Sequence, residues 1–263
     1  MILYKSLITA LRFAVSGRKV DFVIAGVQKA GTSALDAYLR AHPEICMAKQ
    51  KEVHFFDRTR FFWLIPNYFA YHAHFSAENT HQLFGEATPI YAYWDVSIQR
   101  IWKYNPQMKI IVVLRNPIER AYSHWNMERQ RGYETLPFLE AIEKEEQRCK
   151  GVLPSQHRVY SYLDRGWYSV QIRRIWRFFP REQIMFIKYE TLLSSPNEVL
   201  EGVWRFLGVS PIIVEKKIVH ARNYESKISE DEFQLLQDRY KHEIRQIESM
   251  LGWDCSDWLS ALV

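Results

Sequence analysis

The feature that most constrains this chain is an apolar run leading through a glycine-containing loop into a helix. Residues 20–27 (VDFVIAGV) have the composition of a buried strand, residues 28–33 form the loop, and the apolar positions of residues 34–39 predict a helix. Further strands are predicted at 45–48, 83–87, 109–114 and 183–188. Strands that alternate with helices predict an α/β fold, with a parallel sheet of about five strands flanked by helices on both faces.

Helix signals occur at several later points of the chain. Asn116 and Pro117 predict a helix start, and that helix is expected to reach about residue 130. Another helix is predicted over residues 161–179, and capping boxes at 195–198 and 229–232 predict the last two. No linker rich in glycine, proline or serine separates these segments. The prediction is therefore a helical extension over residues 1–20 and a single domain over residues 21–263.

The charge balance favours an anionic ligand without identifying it. The chain has 35 Lys and Arg against 30 Asp and Glu, a formal net charge of +5. No basic stripe runs along the sequence, which disfavours a nucleic-acid partner. No apolar run reaches the roughly 20 residues of a membrane span. The first 17 residues predict a short surface helix, for which contact with a membrane or a partner stays open.

The cysteine pattern predicts a reducing compartment. Cys46, Cys149 and Cys255 are far apart and odd in number, so they form neither zinc-ligand spacing nor a disulfide framework. Disulfides are rare in the cytosol, and a cytoplasmic location is the expectation that follows.

The first loop has the context of an anion site, because backbone amides at a helix N-terminus attract negative charge. Lys29 adds a cation, and Thr32 and Ser33 add hydroxyl donors. The loop resembles the triphosphate-binding pattern G-x-x-x-x-G-K-[ST] only in part, since Thr32 follows Gly31 where that pattern needs lysine. The sheet is thus P-loop-like. The alternative is that Gly31 is a turn glycine and Lys29 a solvated residue.

A second anion site is predicted where the strand KIIVVL runs into Arg115, with Ser123 in the helix that follows. A magnesium-dependent kinase would need an acidic residue at such a strand end, so a metal is not expected. Two anion sites at the ends of two buried strands predict a nucleotide phosphorylated at both ends.

Five segments together resemble the sulfotransferases that use 3′-phosphoadenosine 5′-phosphosulfate (PAPS), closest to their heparan sulfate branch. The segment 29–35 is similar to the 5′-phosphosulfate loop, and 115–123 to the 3′-phosphate motif. The segment 51–57 (KEVHFFD) looks like the stretch that carries the catalytic glutamate of that branch. The remaining two, 165–180 and 220–224, look like the helix over the cofactor and the loop that closes on it. With neither the membrane anchor nor the disulfide of the Golgi enzymes visible, a soluble bacterial-type member is expected.

The resemblance implies PAPS as donor, no metal, and a set of nucleotide-binding residues. In the late loop, His220 and Ala221 replace the family's Lys-Gly, so only Arg222 of that tripeptide carries over. The implied cofactor-binding residues are Lys29, Ala30, Gly31, Thr32, Ser33, Arg115, Ser123, Arg222, Asn223 and Tyr224.

The resemblance also implies catalytic roles. Lys29 would meet the bridging oxygen of the phosphosulfate, and Glu52 would accept the acceptor proton. For Glu52 the alternative is a salt bridge with a nearby lysine; His54 is open as a second base, an acceptor-binding group or a buried histidine. The expected acceptor-binding residues are His54, Glu86, Thr88, Pro89 and Met127.

The acceptor is expected to be a hydroxyl group on a carbohydrate. A lipid, a small natural product and an acyl chain on a carrier protein stay open within the same chemistry. An inactive nucleotide-binding interaction module is the alternative from a different class, which the retained Lys29 and Glu52 disfavour.

Overall fold

The computed structural model describes residues 2–77, 81–215 and 228–260. Its centre is a five-stranded parallel sheet in the order β2-β3-β1-β4-β5, flanked by helices. The strands are β1 Phe22–Gly26, β2 Ile45–Met47, β3 Leu83–Ala87, β4 Lys109–Leu114 and β5 Ile184–Lys188. The predicted α/β class, the parallel sheet and the strand number are confirmed.

The α-helices lie before, between and after these strands. They are α1 Ile2–Ser16, α2 Thr32–Arg40, α3 Tyr68–His72, α4 Ser97–Tyr104, α5 Pro117–Gln130, α6 Phe138–Glu143, α7 Glu145–Lys150, α8 Tyr168–Trp176, α9 Tyr189–Ser194, α10 Pro196–Leu207 and α11 Glu230–Leu251. Short 3-10 helices occur at Thr59–Phe62, Asp164–Gly166, Arg181–Gln183 and Ser256–Leu259.

The middle of the sheet is buried on both faces. All five residues of β1 are buried, and Val23 pairs in parallel register with Glu86 of β3 and Ile110 of β4. Gly85 of β3 faces the ring of Phe22 so closely that a Cβ atom at this position would overlap it. A strand buried on both faces explains why β1 reads as a continuous apolar run.

The chain forms two compact units. The first comprises Met1–Val27, Gly31–Val113 and Arg174–His220, and it contains the strand pairings of β1, β2 and β3. The second comprises Gln28–Ala30, Leu114–Arg173 and Ala221–Val263, and it contains α5 and α11. A helix, α1, occupies most of the expected N-terminal extension, whereas the division into residues 1–20 and 21–263 stays a prediction.

Local capping decides where α5 and α11 of the second unit begin. The side chain of Asn116 accepts a hydrogen bond from the amide of Ile118 at 2.9 Å, and Pro117 is the first residue of α5, as predicted. Ser229 and Glu232 form the predicted capping box of α11. The helix predicted over residues 161–179 is wrong in extent, because a 3-10 turn at Asp164–Gly166 precedes α8.

Candidate active site

The loop between β1 and α2 has the backbone of an anion-binding turn. Lys29 and Gly31 have φ angles of 73° and 78°, in the left-handed region that glycine adopts without strain. A Cβ atom on Gly31 would lie 2.6 Å from the ring of Tyr189, so the close approach also requires glycine. Gly31 is the N-cap of α2 and has no side chain to satisfy the first amides of the helix. An anion can take that place.

Arg115 is positioned at the end of β4 by contacts on two sides. Its Nη2 and Nε lie 2.7 Å and 3.0 Å from Glu119 Oε2, and its Nη1 donates to the carbonyl of Lys29 at 3.3 Å. The hydroxyl of Tyr168 donates to the carbonyl of Arg115 at 2.9 Å. Ser123 is buried one helical turn after Glu119, on the same face of α5. Arg115 thus reaches the helix face on which Ser123, the other predicted 3′-phosphate residue, lies.

Arg165 holds the loop from a second side. In the sequence, only the longer segment 165–180 pointed to this residue. It is buried and donates through Nη1 to the side-chain oxygen of Gln28, the residue before Lys29. Its Nε donates to Ser161 at 2.9 Å and its Nη2 to the carbonyl of Arg158 at 2.7 Å. Because every nitrogen of the guanidinium has an acceptor, its orientation toward the loop is fixed.

The surroundings of Lys29 are strongly cationic. His124 is fully buried on α5, and its pKa is far below the ordinary value because of burial and the charges of Arg165, Arg120 and Lys29. The imidazole therefore stays neutral at physiological pH. The buried Glu128 shares this environment, where burial raises its pKa against the opposing charge of Arg165 and Lys29. Such an excess of positive charge suits a polyanionic ligand.

A second group of candidate site residues lies in the first unit and is centred on His54. The imidazole Nδ1 is 3.0 Å from Asp57 Oδ2, and Nε2 is 3.5 Å from Glu52 Oε2. Lys51 Nζ donates to the other oxygen of Glu52 at 3.1 Å. We call Glu52, His54 and Asp57 the acid–imidazole cluster. The salt bridge that the sequence left open for Glu52 exists, and it coexists with the histidine contact.

The electrostatics of the acid–imidazole cluster assign a charge to Glu52 and to His54. The hydrogen bond to His54 and the charge of Lys51 outweigh burial and lower the pKa of Glu52 to about 2. Burial opposes the imidazolium, yet the hydrogen bonds to Asp57 and Glu52 outweigh it and raise the pKa of His54 to about 9. At neutral pH, Glu52 is therefore a carboxylate and His54 an imidazolium.

Two residues of this segment have unusual backbone conformations. Glu52 and His54 adopt φ angles of 64° and 55°, which cost free energy for residues other than glycine. The amide of Glu52 donates to the carbonyl of Ala87 at 2.8 Å, and the amide of His54 lies 3.5 Å from the hydroxyl of Thr88. The turn after β3 thus holds the strained segment in place.

Glu86 supports this turn from inside the protein. It is fully buried, and it accepts hydrogen bonds from Thr88 at 2.6 Å, Tyr91 at 3.0 Å and Tyr71 at 3.1 Å. The hydroxyl of Tyr91 in turn accepts from the amide of Phe55 at 3.0 Å. Burial raises the pKa of Glu86 to about 7 against the lowering effect of these hydroxyl donors.

For several predicted site residues, the structure gives a position but no direct indication of a role. Thr88, Pro89 and Met127 are buried, as is Glu86, so acceptor contact at these residues stays a prediction. Thr32 is buried and Ser33 half-buried at the start of α2. The predicted late-loop residues Arg222, Asn223 and Tyr224 lie outside the described residues.

The described part of the chain contains neither a candidate metal site nor a candidate membrane span. In residues 2–77, 81–215 and 228–260, no group of three or more acidic, histidine or cysteine side chains is arranged to hold a metal ion. Within the same ranges, every helix is too short or too polar to cross a membrane.

The fold belongs to one class of protein. The family model described as the sulfotransferase domain matches residues 19–248. This match covers most of the chain, which therefore belongs to the sulfotransferase domain family. The resemblance inferred from the five sequence segments is confirmed.

Individual relatives give the same result. Human heparan sulfate glucosamine 3-O-sulfotransferase 3B1 is 31% identical over 207 residues, which are 78% of this chain and 50% of that protein. Human bifunctional heparan sulfate N-deacetylase/N-sulfotransferase 3 is 32% identical over 201 residues, 74% of this chain and 23% of that protein. The chain thus spans between about a quarter and a half of the length of these curated relatives.

A solved bacterial structure matches over its whole length. The crystal structure of a sulfotransferase from Alicyclobacillus acidocaldarius superposes with a TM-score of 0.79 and 29% identity. It covers 92% of this chain and 100% of that one. The α/β architecture described above is therefore that of a bacterial sulfotransferase.

Proposed function

We propose that this protein transfers a sulfuryl group from PAPS to a hydroxyl group of a carbohydrate. The observation that carries the proposal is the hydrogen bond between Arg115 and the carbonyl of Lys29. It joins the loop that resembles the 5′-phosphosulfate site to the residue that resembles the 3′-phosphate ligand. A donor with phosphate at both the 3′ and 5′ positions fits this pair of cationic elements.

Lys29 is the group proposed to assist departure of the nucleotide. Sulfuryl transfer resembles phosphoryl transfer, in which positioning and charge stabilisation supply most of the rate enhancement. Negative charge grows on the bridging oxygen as the sulfur–oxygen bond to the nucleotide breaks. An ammonium group at that oxygen is more favourable in the transition state than in the ground state. The cationic surroundings of Lys29 support this assignment.

Glu52 is the proposed base, which takes the acceptor hydroxyl proton as the new sulfur–oxygen bond forms. Its pKa of about 2 leaves it ionised, and its two oxygens, which already pair with Lys51 and His54, each keep a further lone pair that can accept a proton. His54 has a pKa of about 9 and already holds a proton at neutral pH, so it is a poor candidate for the same task. In this account His54 orients Glu52 and is in turn held by Asp57.

The carbohydrate acceptor and the cytoplasmic location are the finer parts of the proposal. The acceptor is supported by the curated relatives, whose names give heparan sulfate as their substrate. The location is supported by the three cysteines, Cys46, Cys149 and Cys255, all of which are free thiols in the structure. The donor is proposed to bind without a metal ion.

The test is a transfer assay with radiolabelled PAPS in the presence of a chelator. Desulfated heparan chains, chondroitin, glycolipids and simple phenols would be offered separately as acceptors. Sulfate incorporation into a glycan supports the proposal. Incorporation only into phenols or lipids contradicts the carbohydrate acceptor, and no incorporation with any acceptor contradicts the activity.

A further inference from the structure

An exposed apolar loop follows the acid–imidazole cluster in the first unit. After the 3-10 helix Thr59–Phe62, the side chains of Trp63, Leu64 and Ile65 are exposed by 79%, 86% and 85%. Single exposed apolar residues are common on protein surfaces, whereas a run of three large ones indicates a contact surface. We call residues 61–66 the apolar loop.

The base of the apolar loop is anchored while its tip is not covered. The rings of Phe61 and Phe62 lie with centroids 5.0 Å and 5.2 Å from that of the buried Phe55. The guanidinium of Arg100 lies 4.3 Å from the centroid of the Phe62 ring. The aromatic base therefore fixes the direction of the chain, and Trp63 to Ile65 extend from it into solvent.

The exposed charged residues that immediately precede the apolar loop are basic. Arg58 and Arg60 are exposed immediately before it, and the Arg60 guanidinium lies 4.8 Å from the centroid of the Phe61 ring. The sequence has no acidic residue from position 58 to position 77. These basic residues therefore complement an anionic surface.

Helix α1 also combines apolar and basic residues, and it packs beside α3, the helix that follows the apolar loop. Residues 1–20 contain no acidic residue, and Leu7, Leu11 and Val15 form an exposed stripe at helical spacing. The opposite side of α1 is buried through Phe13, whose ring lies 4.3 Å from that of His72 on α3. Two elements that meet α3 thus combine exposed apolar side chains with basic residues alone.

We propose that the apolar loop docks on an anionic phospholipid membrane, with Trp63, Leu64 and Ile65 entering the interface. Tryptophan prefers the headgroup boundary, aliphatic side chains prefer the acyl region, and arginine binds lipid phosphate. A specific protein partner is normally met by an apolar patch that is surrounded by a polar rim. The loop offers arginine alone, which matches a lipid surface better. This inference is independent of the proposed enzymatic activity.

The test uses sedimentation with vesicles made of phosphatidylcholine alone or mixed with an equal amount of phosphatidylglycerol. The protein should bind the mixed vesicles more tightly, and Ile65→Asp should lower that binding roughly tenfold to a hundredfold. Ile213→Asp is the matched control, because Ile213 is 91% exposed but lies near Glu215 and outside the loop. It should bind as the unmodified protein does.

The contribution of charge is measured with Arg58→Gln and Arg60→Gln. Each should weaken binding to the mixed vesicles roughly fivefold and leave binding to phosphatidylcholine unchanged. Equal binding of the Ile65→Asp and Ile213→Asp proteins would overturn the proposal. The proposal would also be overturned if the unmodified protein bound neither kind of vesicle and instead formed a dimer in sedimentation velocity that Ile65→Asp dissociates. Circular dichroism and nucleotide affinity establish that each variant is folded.

Discussion

Arg115 donates a hydrogen bond to the backbone carbonyl of Lys29, with 3.3 Å between Nη1 and the oxygen. The strand end that carries the proposed 3′-phosphate ligand is thereby connected to the loop proposed to bind the 5′-phosphosulfate. The same guanidinium also pairs with Glu119, so its position is set before any ligand binds. A preorganised cation of this kind lowers the cost of binding a charged nucleotide.

Arg115 should let the protein discriminate between nucleotides with and without a 3′-phosphate. With a chelator present, the protein should bind adenosine 3′,5′-bisphosphate much more tightly than AMP, and Arg115→Ala should remove about 1.5–3 kcal/mol of that difference. Isothermal calorimetry measures both affinities. The matched control is Arg205→Ala, which breaks an exposed pair with Glu201 one helical turn away. Equal affinity of the unmodified protein for both nucleotides would remove the role of Arg115.

Lys29→Ala should slow transfer far more than it weakens nucleotide binding. The ammonium group is expected to act mainly on charge that develops in the transition state, so the loss appears in turnover. Turnover at saturating PAPS and the affinity for adenosine 3′,5′-bisphosphate are measured on the same variant. The exposed Lys150 provides a control through Lys150→Ala. A collapse of affinity with normal turnover would make Lys29 a phosphate ligand only.

Much of the proposed nucleotide-binding site could be predicted because its signals are local. The Asn116 cap, the Pro117 start and the position of Arg115 all follow from adjacent residues. The capping box at Ser195 was also a local signal, yet the side chain of Ser195 makes no capping bond. Its amide bonds the carbonyl of Thr191 at 2.9 Å, because the preceding helix ends on the same residue. A motif cannot show that two helices share one residue.

The support of the acid–imidazole cluster could not be predicted, because its partners come from separate segments. The acceptor contact of Glu86 stays a prediction, whereas its hydrogen bonds from Thr88, Tyr71 and Tyr91 depend on residues that only the tertiary structure brings together. A glutamate within a buried strand was the available signal. Such a residue must be hydrogen-bonded by its neighbours, although the sequence does not say which.

Tyr91→Phe should reduce turnover, whereas Tyr71→Phe should not. Both phenols donate to Glu86, but Tyr91 also accepts from the amide of Phe55 and so holds the Glu52 segment. The expected loss for Tyr91→Phe is in turnover, with nucleotide affinity unchanged. In a Glu52→Gln background the same change should have no further effect, since interacting residues are not additive. Additive losses would mean that Tyr91 acts on stability alone.

The protonation of His54 predicts how stability depends on pH. Its pKa is raised from 6.5 to about 9 on folding, so the imidazolium stabilises the folded state fully below pH 6.5. This contribution, at most about 3 kcal/mol, is lost as the pH rises through 9. Urea unfolding at intervals from pH 6 to pH 10 should show the decline, and His54→Gln should flatten it. The same slope in both proteins would contradict the assignment.

The most direct test of the account is the single-turnover rate of the Glu52→Gln enzyme with saturating PAPS and acceptor. Glutamine keeps the size of the side chain and one acceptor oxygen but removes the basicity. The rate should fall by a factor on the order of 10²–10⁴, while affinity for adenosine 3′,5′-bisphosphate is retained. Glu201→Gln, on the exposed face of α10, should keep the full rate. A Glu52→Gln enzyme with near-normal turnover would contradict the account.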